Sequence, residues 1–453
     1  QRQMCIRDSL NTPQSGPTGA AGPVEGDDYL MPFFMDDWAA VTKDSDKSQF
    51  ETRKRTLTGF IARTYRLTDE FPGANFNDGY YYKIDTGTKT ATVQPTTTSK
   101  VKWEDLVGIS VDASGTLPDV LAELLGGASL DDVIYKADTS TDEIIGHLFI
   151  YKIAYDILDD NDPEEKAVKD VLVDTVRTFA QHMLDNGYCL RDATGQATTW
   201  GKTERDYFNN LYAWEDCALN STVLLSTFKL ASYVTGERMW EDEYRMLALE
   251  EPYRYADLAG EYWSRWEALA KRDGVDANDQ AALDEWIRQE CNYSDEEMGM
   301  LAYYLLFQME KDGELLEKYR VGLDAWWNSI QYSENPLWYY IYQLAYPDTA
   351  QTDAYGNSLI ETASWALSRH PVDTVRWSAC AGADTHPEIR EDGSVSRDRA
   401  TGEMRVAPFD EREMHKYNGS TYRLDGGSGT RMEGSTTYTL PYWMGRYHDM
   451  LEP

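Results

Sequence analysis

One segment occurs twice, and it constrains the fold more than any other feature. TDEIIGHLFIYKI (141–153) returns 153 residues later as SDEEMGMLAYYLL (294–306), sharing the pattern hydroxyl-Asp-Glu-x-x-Gly-x-Leu-x-x-Tyr. Both copies are apolar nearly all round, the signature of a buried helix. A glycine inside a helix costs about 1 kcal/mol relative to alanine. Gly146 and Gly299 at one register therefore point to close helix approach in both copies. The segment EEKAVKDVLVDTVRTFAQHML (164–184) is different: it is amphipathic and charged, as an outer helix is. Alternating apolar inner and amphipathic outer helices predict an all-α fold. The expected form is an α/α toroid of about six helical hairpins, with long loops and minor β-hairpins at one mouth. An α-solenoid is the alternative, but it calls for a shorter and stricter repeat.

Residues 1–27 stand apart. MCIRDS (4–9) reads as a translated sequencing adapter, which would put the native N-terminus and any signal peptide outside the sequence. The Pro-, Gly-, Ser- and Thr-rich stretch after it reads as a flexible lead-in. A single toroid domain is expected over 28–453. A first helix pair is predicted over 29–42 and 48–68, a β-hairpin over 79–93 and short helical turns over 117–136. Further helices are predicted near 140–158, 162–186, 216–235, 238–249, 276–290, 294–311, 313–331, 335–346, 357–369 and 437–451. Pro163 suits a first helical turn, and Gly187 and Gly236 suit helix C-caps. The loops at 187–213 and 371–436 are long, and Trp200, Tyr207, Trp377 and Tyr422 within them argue for order.

Composition removes several classes. The chain has 453 residues, 42% hydrophobic, with 14 Trp and 31 Tyr, enough for a large core. A net charge of −35 repels phosphate backbones, so no nucleic-acid partner is expected, and anionic membrane surfaces are disfavoured. No stretch approaches the roughly 20 apolar residues of a membrane helix. The five cysteines form no Cys-x-x-Cys pair and no zinc-finger spacing with histidine. Phosphate-loop and nucleophile-elbow patterns are absent. No cofactor is called for. A Ca2+ ion stays open for the acidic segment 383–398, which lacks EF-hand spacing. Nothing in the sequence sets an oligomeric state.

The expected inner-helix starts are acidic and aromatic: STDE (140–143), WED (214–216), YSDEE (293–297), ENPLW (334–338) and LDGGSGTRMEGST (424–436). For a single acid, capping is the simpler reading, and Ser140-x-x-Glu143 has capping-box spacing. A constellation of acids at one mouth is another matter. Glycoside hydrolysis needs two carboxyls flanking one bond, one protonated and one ionised. Asp142 or Glu143 with Glu433 are the acid/base candidates, and Asp216, Asp295 and Asp425 are reserves. Glu143, His147 and Tyr151 share a helix face. His147 is a candidate general acid, sugar hydrogen-bonder or metal ligand, or else a core histidine satisfied by Glu143; the second copy has Met300 there. Tyr151, Trp200, Tyr207, Trp338, Trp443 and Arg446 are candidates for positioning a sugar.

TSTDEIIGHLFIYKIAYD, NGYCLRDATGQATTWGK, ALNSTVLLSTFKLASYVTG, NYSDEEMGMLAYYLL, NPLWYYIY and DGGSGTRMEGSTTYTLPYWMGRYH span most of residues 139–450. Together they resemble an exported bacterial family of the six-hairpin glycosidase type. That superfamily is an (α/α)6 toroid common among glycoside hydrolases and polysaccharide lyases. The resemblance implies a carbohydrate substrate and a secreted, periplasmic or cell-surface location. Two positions depart from the family pattern. Thr199 stands where an Arg usually precedes the Trp, and GDDYL (26–30) only loosely matches an Asn-Asp-Gly motif. A glycoside hydrolase is the leading expectation. A polysaccharide lyase on the same fold and a non-catalytic glycan-binding surface protein are the alternatives.

Overall fold

The computed structural model describes residues 75–76, 81–85, 90–94, 134–138, 141–191, 197–209, 216–276, 278–370, 375–377, 404, 406, 421–422, 428–432 and 436–452. Among the described residues are thirteen α-helices and a few short strands, so the all-α expectation holds. They divide into two compact units. The first takes in Gln1–Asn210 and Val223–Arg245, the second Leu211–Thr222 and Met246–Pro453. The helix pair expected over 29–68 lies outside the described residues. No described helix is long and apolar enough to cross a membrane.

In the first unit, four strands precede the helices: β1 (Asn75–Phe76), β2 (Tyr81–Asp85), β3 (Thr90–Gln94) and β4 (Ile134–Asp138). Their order in the sheet is β1-β4-β2-β3. β2 and β3 form the expected hairpin, with Tyr81 opposite Gln94 and Asp85 opposite Thr90. β4 corrects the sequence reading of 117–136 as helical turns at its last three residues, 134–136; the rest of that span lies outside the described residues. Ile134–Lys136 pair antiparallel with Tyr81–Lys83, and Ala137–Asp138 pair parallel with Asn75–Phe76. A segment this short carries no decisive period of its own; the edge of β2 makes it a strand.

α1 (Thr141–Ile157) and α2 (Pro163–Asp185) follow. α1 is buried on most sides, through Ile145, Leu148, Phe149, Ile150, Ile153 and Ala154. α2 buries one stripe, Leu172, Val176, Ala180 and Met183, and exposes Lys166 and Asp170. Pro163 takes the first helical position, where a missing N–H is no loss. α2 ends in a Schellman motif with Gly187 at φ 63°. There the Tyr188 N–H reaches the Met183 carbonyl at 2.7 Å and the Gly187 N–H the Leu184 carbonyl at 3.2 Å. β5 (Cys189–Arg191) and β6 (Ala197–Lys202) pair antiparallel, and α3 (Arg205–Phe208) is a single turn. α4 (Cys217–Thr235) stops at Gly236, φ 67°, whose N–H bonds the Ser232 carbonyl at 3.0 Å. α5 (Arg238–Leu249) returns against it, with the Phe228 and Trp240 rings 6.1 Å apart. Lys229, nearly buried, is held by Glu241 at 3.2 Å and by the Tyr244 ring at 4.7 Å.

The second unit continues with α6 (Tyr255–Leu258), a 3-10 turn, α7 (Tyr262–Arg272), α8 (Gln280–Glu290), α9 (Tyr293–Met309), α10 (Gly313–Ile330), α11 (Pro336–Ala345) and α12 (Leu359–Ser368). β7 (Val375–Trp377), β8 (Ser428–Met432) and α13 (Thr436–Tyr447) complete it. Four successive helices open on an Asp or Asn side chain that accepts a first-turn N–H. Asp279 takes that of Ala282 (3.1 Å), Asn292 that of Ser294 (3.2 Å), Asp312 that of Glu314 (2.9 Å) and Asn335 that of Leu337 (3.0 Å). These N–H groups have no partner inside the helix, which is why such residues mark helix starts. α7 shows the converse. It runs straight out of the 3-10 turn with no side-chain cap, and the sequence reading passes over it. Its Trp266 meets Trp286 of α8 at 5.7 Å and packs with Ala270, Leu283 and Ile287.

α9 and α10 interlock through a glycine and an aromatic on each. Trp326 of α10 occupies the space a Cβ at Gly299 would need, and Tyr303 of α9 does the same at Gly322. The two rings meet edge-on at 6.0 Å and 88°. Each helix thus presents Gly-x-x-x-aromatic to the other. Gly299 serves the close approach that the repeat predicts. Gly146 does not: among the described residues nothing lies within 4 Å of a Cβ there. The expectation fails for the first copy because no described aromatic descends on that position.

Candidate functional site

The first turn of α9 sorts its three acids. Asn292 is the cap, and its amide also donates to Asp295 Oδ1 at 2.9 Å. Asp295 thereby belongs to the cap and stays half-buried. The two glutamates after it turn inward, Glu296 1% and Glu297 2% exposed. Glu297 accepts the indole N–H of Trp338, from the first turn of α11. Trp338 is itself 1% exposed and stacks on Tyr293 at 5.9 Å and 14°. Burial pushes the Tyr293 hydroxyl well up, and nearby Cys291, Tyr422 and Glu296 add to the shift. A buried carboxylate is tolerated only where donors hold it. The fold has placed two adjacent carboxyl groups in the protein interior, one of them against the Trp338 indole.

Two sequence expectations change here. Trp338, a candidate for positioning a sugar, is instead sealed, and its N–H serves a carboxylate. Asp295, a reserve acid in the sequence, belongs to the cap, and the buried acids are the two glutamates after it. Their signal was present. Tyr293, Glu297, Leu301 and Tyr304 follow helical spacing on a helix that is apolar nearly all round, so its acids have few exposed faces to occupy.

α13 carries a run of rings. Tyr438 and Tyr442 stack at 5.4 Å and 16°, and Trp443 meets Tyr442 at 4.8 Å. His370 meets Tyr438 at 5.5 Å, and its Nε2 lies 3.0 Å from Thr437 Oγ1. Tyr438, Tyr442, Trp443 and Arg446 are all half-buried, so parts of this surface remain open to solvent. Burial raises the Tyr438 hydroxyl, helped by Tyr442. Tyr304, the tyrosine of the repeat, is tied to the end of α13 through His448 Nε2 at 3.1 Å. Gly445 lets Tyr340 come close, 2.9 Å from where a Cβ would stand.

His147 lies in the first unit, on α1. Its Nδ1 is buried with no hydrogen-bond partner among the described residues, and its ring is 5.9 Å from that of Tyr151. Burial pushes the imidazole down to about 4. The ring is neutral at neutral pH, which suits a hydrogen-bonding or base role and disfavours the general-acid one. The folded value lies below the ordinary 6.5, so the unfolded chain takes the proton first as pH falls. The stability due to the neutral ring is present above about pH 6.5 and lost as pH drops towards 4, on the order of 1–3 kcal/mol. His147→Gln is expected to flatten the decline of the urea midpoint between pH 7 and pH 4. Identical declines in both proteins would assign the acid response to other groups.

The remaining candidates fall in both units or outside the described residues. Asp142 and Glu143 are in the first turn of α1 and Trp200 is in β6. Asp425 and Glu433 lie outside the described residues, as does the acidic segment 383–398. Tyr151 is buried within α1. Asp216, half-buried, precedes α4, and its carbonyl accepts the Asn220 N–H at 2.8 Å. Tyr207, on α3, has the Lys202 ammonium 5.6 Å from its ring centre, on a face a sugar would otherwise use. Among the described residues, no group of three His, Cys, Asp or Glu is placed to hold a metal ion. Comparison of the chain with protein-family models, with curated proteins and with solved structures finds no match in any of the three.

Proposed function

We propose that the protein is a carbohydrate-active hydrolase. In this reading its helical hairpins close into an α/α toroid, and carboxyls at the inner-helix starts cleave a glycosidic bond by acid/base catalysis. One observation carries it. Glu296, the repeat counterpart of Glu143, is not a solvated cap residue but a glutamate sealed from water. Hydrolysis needs one carboxyl that keeps a proton and one that does not, and desolvation is a common means of separating them. Glu143 and Glu433 are assigned the acid and base roles, with Asp142 as the alternate and Asp216, Asp295 and Asp425 in reserve. The ring surface of α13, with Trp443 and Arg446, would hold sugar. Glu143→Gln, Glu433→Gln and Glu296→Gln, made singly, are each expected to lower release of reducing sugar from a glycan panel by about a hundredfold or more. Undiminished turnover in all three sinks the assignment.

The neutral state of His147 beside Tyr151 favours a second reading, a polysaccharide lyase with histidine as base. Lyase products carry a double bond that absorbs in the ultraviolet and hydrolase products do not, so one absorbance trace on a polyuronate separates the two.

A further inference from the structure

A groove of about 240 Å³ runs between α8 and the C-terminal end of α10, lined by Gln280, Asp284, Asn328, Gln331 and Tyr332. None of these residues belongs to the carboxylate cluster or to the ring surface of α13. Three carboxamides, one carboxylate and one phenol converge there. A carboxamide offers two donors and an acceptor in one plane, and a carboxylate accepts at two oxygens; together they match neighbouring hydroxyl groups, each of which both donates and accepts. The Gln280 amide donates to Asp284 Oδ1 at 2.6 Å and so orients the carboxylate before any ligand arrives. The lining holds one negative charge and no cation, which selects against an anionic ligand. Arg288, the nearby cation, lies on the Tyr332 ring at 4.8 Å rather than in the lining.

An exposed aromatic stands beside the groove. Tyr332 meets Tyr355 edge-on at 6.0 Å, and Tyr355 is 48% exposed. The loop bearing Tyr355 is stiff. Buried Asp353 accepts the N–H groups of Tyr355 (2.9 Å) and Asn357 (2.8 Å), the Asn357 amide (3.3 Å) and the Thr362 hydroxyl (3.3 Å). A Thr352–Ser358 bridge closes the loop base. A large ring already held in place loses little freedom when a ligand stacks on it. The groove is smaller than the roughly 300–1,000 Å³ of drug-sized pockets, a size suited to one sugar ring with the next over Tyr355.

From this geometry we infer that the α8–α10 groove and Tyr355 form a binding site for a neutral oligosaccharide, separate from the carboxylates assigned to catalysis. The choice of a saccharide shares the carbohydrate reading above, so the test separates the two. Calorimetric titration of the full chain in the Glu296→Gln background with cellopentaose, xylopentaose, mannopentaose and maltopentaose is expected to show saturable binding of at least one. Asn328→Ala and Tyr355→Ala are each expected to weaken it about tenfold with unchanged melting temperature. A polyanionic oligogalacturonate is expected not to compete. Failure of all four pentasaccharides to bind, or binding that both variants leave intact, overturns the inference. Groove binding together with no sugar release by the unsubstituted protein removes the hydrolase reading alone; cleavage by the unsubstituted protein without groove binding removes this site alone.

Discussion

Gly299→Ala is expected to lower stability by about 1–3 kcal/mol, while Gly146→Ala raises it by up to about 1 kcal/mol. The two glycines occupy the same register of the same repeated segment, so helix propensity predicts the same gain for both. Packing separates them. A methyl at Gly299 would enter the space of the Trp326 indole, whereas among the described residues nothing stands within 4 Å of one at Gly146. Trp326 is 1% exposed and has Tyr303 against its edge, so it has little room to retreat. Gly322→Ala, under Tyr303, should behave as Gly299→Ala does. Urea unfolding of the three variants measures the difference. Trimming the indole with Trp326→Leu in the Gly299→Ala background should return part of the loss, as contacting residues are non-additive. Equal midpoints for the Gly146 and Gly299 variants would refute the interlock.

Trp338→Ala is expected to destabilise the second unit by about 3–5 kcal/mol, a cavity effect compounded by a carboxylate that loses a donor. Trp338→Phe separates the two contributions. It keeps most of the ring volume but removes the N–H given to Glu297, and should cost about 1–3 kcal/mol. The double replacement Trp338→Phe with Glu297→Met removes donor and acceptor together, and is expected to cost less than the sum of the single changes. Strict additivity would mean that the indole and the carboxylate do not depend on each other. The cycle also bears on catalysis. If the indole holds the carboxylate cluster in place, Trp338→Phe should depress sugar release at temperatures where the variant remains folded.

Much of the helical layout was legible in the sequence because its causes are local. Hydrophobic period marks α1 and α9 as buried helices and α2 as an outer one, and these interactions span four residues or fewer. Pro163, Gly187 and Gly236 set helix ends through backbone geometry that belongs to each residue itself. The hairpin of β2 and β3 is a short loop between two β-branched or aromatic runs. α7 is not legible in the sequence because it lacks the local mark of a cap, nor is β4, because a strand that short is defined by the edge it joins.

The acids follow the same division. Their presence at the helix starts, and their crowding with aromatic residues, is sequence-level information. Which of them caps a helix and which is drawn into the interior is not. Asp295 and Glu296 are adjacent in the chain, yet one is half-buried beside Asn292 and the other is sealed from water. Glu297 owes its place to an indole 41 residues away. Period and capping act along the chain, so the sequence by itself determined where helices run and which faces are apolar. Burial of a charge depends on donors that only folding brings near, so tertiary structure alone decided which carboxylates sit in the interior and which repeat glycine has no room for a side chain.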